Sequence, residues 1–383
     1  MSSNGKTVVI ADYDFGDVAI EQSIIEGARL ELTAAQCKTE DEVIDVARDA
    51  DAIIAQYATI GAKAIGALTR CQVIARYGTG VDIVDVDAAS RRGILVTNVP
   101  SDWCENEVAD HAMALLLAVG RKICAYDRAC RDGTWRWQTG YPVHRLRGSV
   151  LGLLSFGAIA QAIAGRAAGF GMRAIAHDPY LPDPDIFARG ATPASFGDLL
   201  EQADYLVIQA PLTKETHHLI GEAELRRMKP TAVLVNTARG PIVSDDALYR
   251  GLTEGWIAGA GLDDIEEEPA KQRDWQPVNP LFTLPNLVVT PHAAYYSEEA
   301  IRTVRDFAAR EVVRVLSGQA PLSPVNADQL ASRGLPGQRR PAREPATGAS
   351  MRSRRPKLDW RHARRVGATG RAAGARGPGR PRA

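Results

Sequence analysis

A chain of 383 residues, 45% hydrophobic and 24% charged, exceeds the size at which one core usually stops growing, so two domains are expected. No apolar run approaches the roughly 18–20 residues that cross a bilayer, and the start leads into a strand-like run with no secretory apolar segment. The net charge of zero hides an asymmetry: residues 331–383 hold fourteen Arg and one Lys against Glu344 and Asp359, a balance of +13, which leaves −13 on the rest. Five cysteines, odd in number and without a C-x-x-C pair, suit a reducing cytoplasm better than disulfides or zinc.

Short apolar runs alternate with helical stretches from residue 7 to residue 99. Strands are expected at 7–11, 30–34, 52–55, 73–76 and 95–97, with helices at 62–68 and 84–91. That is a βα pattern with crossover-length connections, hence a parallel sheet. A long helix is predicted over 105–131 from apolar positions such as Val108, Ala112, Leu115, Leu116, Val119 and Ile123. Gly133 ends it, and Trp135 and Trp137 in the following loop read as packing residues. A second βα series predicts strands at 150–154, 173–176, 205–209, 232–236, 257–261 and 287–290, then a last helix at 297–316 before Gly318. From about residue 328 the periodicity gives way to Arg, Gly, Pro and Ala, and 328–383 is expected to be a disordered basic tail.

The strand at 150–154 runs into a small-residue turn and then a helix, which is the context a dinucleotide fingerprint requires. Of the pattern G-x-G-x-x-G, the chain offers Ser155, Phe156, Gly157, Ala158, Ile159 and Ala160. Only the middle Gly remains, the one that lets the backbone approach a pyrophosphate. Asp178 ends the next strand, 21 residues after Gly157, where a carboxylate binds ribose hydroxyls and repels a 2′-phosphate. NAD is therefore expected rather than NADP.

Three polar residues close apolar runs in order: Arg239 after 232–238, Glu268 in an acidic stretch, and His292 after 287–291. Parallel strands deliver such side chains to the carboxyl edge of a sheet, where open α/β sheets bind ligands. Arg grips a carboxylate with its planar fork, His passes a proton near neutral pH, and Glu can orient the ring. Singly, each has a bland explanation as a surface or turn residue. The ordered set points to a small anionic carbonyl compound.

With these phrases assembled, the chain resembles the D-isomer-specific 2-hydroxyacid dehydrogenases, and among them bacterial relatives of phosphoglycerate dehydrogenase and the C-terminal binding proteins. The resemblance covers about residues 6–326. It rests on Arg76-Tyr-Gly-Thr-Gly-Val-Asp82, Thr97-Asn-Val-Pro100, the loop at 150–160, His177-Asp-Pro179, Asn236-Thr-Ala-Arg-Gly240, Gly261-Leu-Asp263, Glu268-Pro269 and Thr290-Pro-His-Ala-Ala294. It implies an α/β fold of two Rossmann-like domains with parallel sheets. An NAD-binding domain, 104–294, would be inserted into a discontinuous substrate domain made of 1–103 and 295–327. It further implies that Arg239 binds the substrate carboxylate and carbonyl, that His292 is the acid/base and that Glu268 holds His292. Arg76, Gly78, Gly80 and Tyr295 would line the substrate site. Thr79, the loop 155–159, Asp178, Ala210, Pro211, Thr237 and Asp263 would contact NAD, with Asp263 on the nicotinamide carboxamide. The family's long helix implies a homodimer. Ser155 for the first Gly, Ala158 for a frequent Arg, and Asp264 beside Asp263 depart from the pattern and predict weaker NAD binding.

The expected activity is NAD-dependent interconversion of a small 2-hydroxy acid and its 2-oxo acid. The alternative is an NAD(H)-sensing protein-interaction module, favoured by the altered glycine loop and opposed by the intact Arg, Glu and His. Nucleic-acid binding by the Arg-rich tail is disfavoured, because Trp360 is its one aromatic residue for base stacking. No metal is expected.

Overall fold

The computed structural model describes residues 5–100, 103–268 and 272–332. The chain begins with β1 (Thr7–Ile10), α1 (Ala19–Gly27), β2 (Glu31–Ala34), α2 (Glu40–Ala47), β3 (Ala52–Ala55), α3 (Ala62–Ala67), β4 (Val73–Arg76), α4 (Val86–Arg91) and β5 (Leu95–Thr97). These strands pair in parallel in the order β2-β1-β3-β4-β5. Helices α5 (Glu105–Gly120) and α6 (Ile123–Arg131) lead to the second series. It comprises β6 (Val150–Leu154), α7 (Ala158–Gly169), β7 (Arg173–His177), α8 (Asp183–Ala188), β8 (Thr192–Pro193), α9 (Phe196–Gln202), β9 (Tyr205–Ile208) and α10 (Glu222–Leu225). β10 (Val233–Asn236), α11 (Asp245–Thr253), β11 (Gly259–Leu262) and β12 (Leu287–Val289) complete it, and α12 (Glu298–Leu316) and α13 (Ala327–Ser332) follow. The second sheet is also parallel, in the order β12-β11-β10-β9-β6-β7-β8.

Every strand expected from the apolar runs is present, with ends displaced by at most two residues. Strands β3, β4, β6, β9, β10 and β11 are buried at every position, as strands covered on both faces must be. Each sheet reverses its strand order once, between β1 and β3 in the first and between β6 and β9 in the second. A crevice opens beyond the carboxyl ends of the strands at such a reversal. Residues 155–159 and 210–211 follow β6 and β9, while β3 ends at Ala55, just before Gln56, and β4 ends at Arg76.

Two expectations need correction. The predicted helix at 105–131 is two helices. Gly120 has no side chain where the Tyr205 ring packs; a Cβ would lie 2.8 Å from it. Lys122 then turns to φ +57, which ends the hydrogen-bond ladder, and α6 begins at Ile123. The apolar spacing continues through this break because α6 carries Ile123, Tyr126 and Ala129 at helical intervals, although none of its residues is buried. The second correction falls at the start of the expected tail. Residues 327–332 form α13, anchored by buried Leu330. Just before it, the Asn326 side chain accepts from Val96 N (2.9 Å) and donates to Ile94 O (2.9 Å). One apolar anchor and side-chain-to-backbone bonds leave no periodic trace in a sequence. The remainder of the expected tail, from residue 333, lies outside the described residues.

Helix α12 packs on α1, β3 and β4, so the chain returns to the first sheet after completing the second. Its Val304, Phe307 and Val312 share an apolar cluster with Ile10 and Ile54. A buried ion pair fixes the return: Arg305 Nε and Nη2 donate to the two oxygens of Glu21, at 2.9 and 2.8 Å, and Tyr77 Oη donates to Glu21 as well. Removing one partner of a buried pair strands the other charge and costs about 3–5 kcal/mol. Arg305→Met is expected to lower the unfolding free energy by that amount in urea titrations. A change under about 1 kcal/mol would show that the pair does not clamp α12.

Candidate active site

Arg239 follows β10 on a turn braced by Asn236, whose side chain accepts from Ala238 N (3.0 Å) and donates to Arg239 O (2.8 Å). Gly240 is required there, since a Cβ would lie 1.9 Å from Ile265 O. The guanidinium donates to Ala238 O (2.7 Å) and, through Nε, to Asp82 Oδ1 (3.1 Å). It reaches over Gly80, where a Cβ would meet Nη2 at 2.0 Å. Gly78, at φ +146, likewise makes room for Arg76. Thus Gly78 and Gly80 act by leaving space for two cations.

Arg76, at the end of β4, is 7% exposed and gives Nη1 to Tyr77 O. Its Nε is buried without a hydrogen-bond partner. Burial, and then the neighbouring Arg239, lower its pKa. Arg239 moves the other way: burial alone would depress it, but Asp82, Glu268 and Asp264 more than offset this. Two guanidiniums, one with an idle buried donor, form a site that an anion completes.

His292 follows β12 at φ +53, a conformation costing a non-glycine residue about 1–3 kcal/mol. Asp263 holds it there. The Asp263 carbonyl accepts from His292 N (2.6 Å), and its carboxylate accepts from Ala293 N (2.9 Å), Ala294 N (2.8 Å) and the Thr290 hydroxyl. Asp263 is 2% exposed and uses both oxygens in this way. The resemblance places Asp263 against the nicotinamide carboxamide; within the protein its bonds fix the histidine turn. His111 on α5 adds a bond to the Thr290 hydroxyl (2.8 Å), a role that the sequence reading missed. Buried Glu268 bonds to His292 Nδ1, leaving Nε2 as the ring nitrogen that Glu268 does not engage.

Tyr57 and Tyr295 stand edge-on to the His292 ring, at 5.8 and 6.2 Å. Burial raises both hydroxyls, that of Tyr295 to about 12, and the two are hydrogen-bonded to each other. Gln56 Nε2 donates to Tyr295 Oη (3.2 Å) and to Asp14 (2.6 Å). Tyr57, Gln56, Asp14 and the role of Asp82 are further members that sequence reasoning missed. Their partners lie up to 239 positions away, so no local pattern signals them.

Across the cleft, the loop after β6 meets the requirements for a dinucleotide. Gly157 is the N-cap of α7, no side chain caps that helix, and a Cβ on Gly157 would meet nothing within 4 Å. The first turn of α7 is thus left without a side-chain cap, which suits a pyrophosphate. Phe156 is wholly buried, so its backbone alone faces the loop, while Ala158 and Ile159 form the first turn of α7. Asp178 accepts from Phe156 N (2.9 Å). Ala210 and Pro211 follow β9, Thr237 accepts from Gln209 (2.5 Å), and the Thr79 carbonyl accepts from Asn98 (2.6 Å).

Residues 113–294 match the family model described as "D-isomer specific 2-hydroxyacid dehydrogenase, NAD binding domain". A glyoxylate reductase of Korarchaeum cryptofilum is 40% identical over 291 residues, 74% of this chain and 85% of that protein. The structure is similar to a glyoxylate reductase from Paecilomyes thermophila (TM-score 0.74, 27% identity, 85% of this chain and all of that one). It is also similar to an Aquifex aeolicus D-lactate dehydrogenase complexed with NAD and lactic acid (TM-score 0.73, 25% identity, 85% and 98% coverage). The chain belongs to the D-isomer-specific 2-hydroxyacid dehydrogenases. It is an NAD-dependent oxidoreductase that interconverts 2-hydroxy and 2-oxo acids. The interaction-module alternative has no support among these relatives.

Asp264 adds a third carboxylate to the cluster, 4.0 Å from His292 Nδ1. It accepts from Gly240 N (3.1 Å) and Ile265 N (2.8 Å), tying the arginine turn to the segment that follows β11. Burial, followed by Glu268, raises its pKa to about 6. The folded state therefore binds a proton that the unfolded chain has released between pH 4 and 6, and stability falls as pH rises through that window. Between pH 4 and 7 the stability difference should shift by about 1–3 kcal/mol in favour of Asp264→Asn. Urea titrations at both pH values test this; a constant difference would mean that Asp264 titrates as it does in the unfolded chain.

Proposed function

We propose that this enzyme reduces glyoxylate and 2-oxo acids of similar size with NADH. Arg239 carries the reading, with the buried, unpartnered Nε of Arg76 beside it. Together they hold a substrate carboxylate, with Gly78 and Gly80 leaving room. When bound, the nicotinamide supplies a hydride to the 2-oxo carbon. His292 Nε2 then gives a proton to the forming alkoxide, while Glu268 keeps Nδ1 engaged and the ring fixed. Arg239 stabilises the negative charge as it develops on that oxygen, commonly the largest catalytic contribution. Asp263 positions the histidine turn. Tyr57 and Tyr295 fill the space where a larger substrate side chain would sit, which favours small acids such as that in the names of the relatives. We assign the cofactor contacts to Thr79, the loop 155–159, Asp178, Ala210, Pro211, Thr237 and Asp263.

The expected result is NADH oxidation that is fastest with glyoxylate in a panel of 2-oxo acids. In His292→Ala, turnover should fall at least 10²-fold while NADH affinity, read by fluorescence titration, stays within about twofold. Wild-type turnover in that variant would remove His292 from the mechanism.

Five free cysteines and the lack of any described helix long and apolar enough to cross a membrane support a cytoplasmic enzyme. A homodimer is supported by the surface around α6. That helix buries none of its residues; its own Ile123 is 55% exposed, and Trp135, Trp137 and Tyr141 after it are exposed by 87, 69 and 77%. Large aromatic side chains left in water at one place mark an association surface. Trp135→Ser with Trp137→Ser should convert the dimer to a monomer in sedimentation equilibrium; an unchanged mass would place the interface elsewhere.

A further inference from the structure

Ser155 stands where the dinucleotide pattern has its first glycine, and it adopts the glycine conformation, φ +74. A non-glycine residue there carries backbone strain. The strain comes with three bonds across the strand ends. Ser155 N donates to His177 O at 2.8 Å, and Ser155 Oγ donates to Asp178 Oδ2 at 3.2 Å. Phe156 N reaches the same carboxylate oxygen at 2.9 Å. On its other side, Asp178 Oδ1 accepts from Tyr180 N at 2.8 Å. The carboxylate at the end of β7 is thus pinned by three donors, of which glycine would leave two.

A carboxylate repels a 2′-phosphate only if it cannot turn away. Aspartate on a strand-end loop escapes repulsion by rotating about its side-chain bonds, which costs little when nothing holds it. A hydroxyl bonded to the charged group opposes that rotation. We propose that Ser155 is a specificity-determining positioning residue. It locks Asp178 in the orientation that accepts free ribose hydroxyls and excludes a 2′-phosphate. This inference rests on the NAD reading and on Asp178 as the ribose contact, and it assigns the discrimination to a pair rather than to the acid alone. Ser155 is then a gain in selectivity, and the strain of its backbone is offset by the bonds it makes.

The test is a double-mutant cycle of Ser155→Gly and Asp178→Ala. Dissociation constants for NADH and NADPH are read by nicotinamide fluorescence, and apo-protein melting is followed in parallel. Ser155→Gly removes strain, so it should fold at least as stably as wild type. Its preference for NADH over NADPH should nevertheless fall roughly three- to tenfold, the scale of one ordinary net hydrogen bond. In the Asp178→Ala background the same substitution should leave the ratio unchanged, because the group that it positions is gone. An equal shift in both backgrounds would overturn the proposal and give Ser155 a contact of its own with the dinucleotide. An unchanged ratio in Ser155→Gly would make it a tolerated turn residue. Retained preference in Asp178→Ala would overturn the role of the acid, and absence of NADH binding in wild type would overturn the NAD reading itself.

Discussion

One buried carboxylate organises the catalytic edge. Asp263 leaves β11 at the point where the chain must present His292 from β12, and its carbonyl and both carboxylate oxygens accept from the turn 290–294. Burying a charge is costly unless hydrogen bonds satisfy it, and here the donors are the amides and hydroxyl of the segment that needs fixing. The turn and the carboxylate stabilise each other. His292 can hold φ +53 because its neighbours are tied on both sides. Parallel pairing of β11 with β12 sets the register that brings the two together.

Charge balance follows from that arrangement. Asp82, Asp264 and Glu268 gather around Arg239, and Glu268 also engages His292. Arg76 is left on the far side of Arg239, repelled by it and desolvated. Carboxylates thus outnumber Arg239 near the imidazole, while Arg76 stands beside Arg239 without an ion-pair partner in direct contact among the described residues. An incoming carboxylate is drawn to the guanidiniums, which keeps it clear of the acidic group around His292.

Strand positions and the residues Arg239, His292, Asp178 and Arg76 at or just after strand ends were legible because buried parallel strands write themselves as apolar runs with polar ends. The glycines at 78 and 80 were legible as positions, but their purpose was not. Only coordinates show that a Cβ at either would strike a guanidinium. Tyr57, Gln56, Asp14 and His111 were invisible because each acts through a partner far away in sequence. The break at Lys122 was missed because apolar spacing survives a change of helix axis. Leu330 and Asn326 were missed because a single anchor has no period. Ser155 was visible only as a departure, since a pattern registers the lost glycine and not the bond to Asp178.

Left-handed backbone at non-glycine residues is sparse among the described residues: Arg29, Lys122, Ser155, His218 and His292. Two of the five stand in loops that leave the second sheet, Ser155 after β6 and His292 after β12. In each, an aspartate supplies the compensation, Asp178 for Ser155 and Asp263 for His292. Strain of this kind persists only where the surroundings over-determine it. The cost falls on residues whose side chains must point one way, and strand-end carboxylates meet it with bonds made to the loops themselves. Both loops are therefore preorganised by the same device, in which an acid at one strand end holds the loop that follows the neighbouring strand.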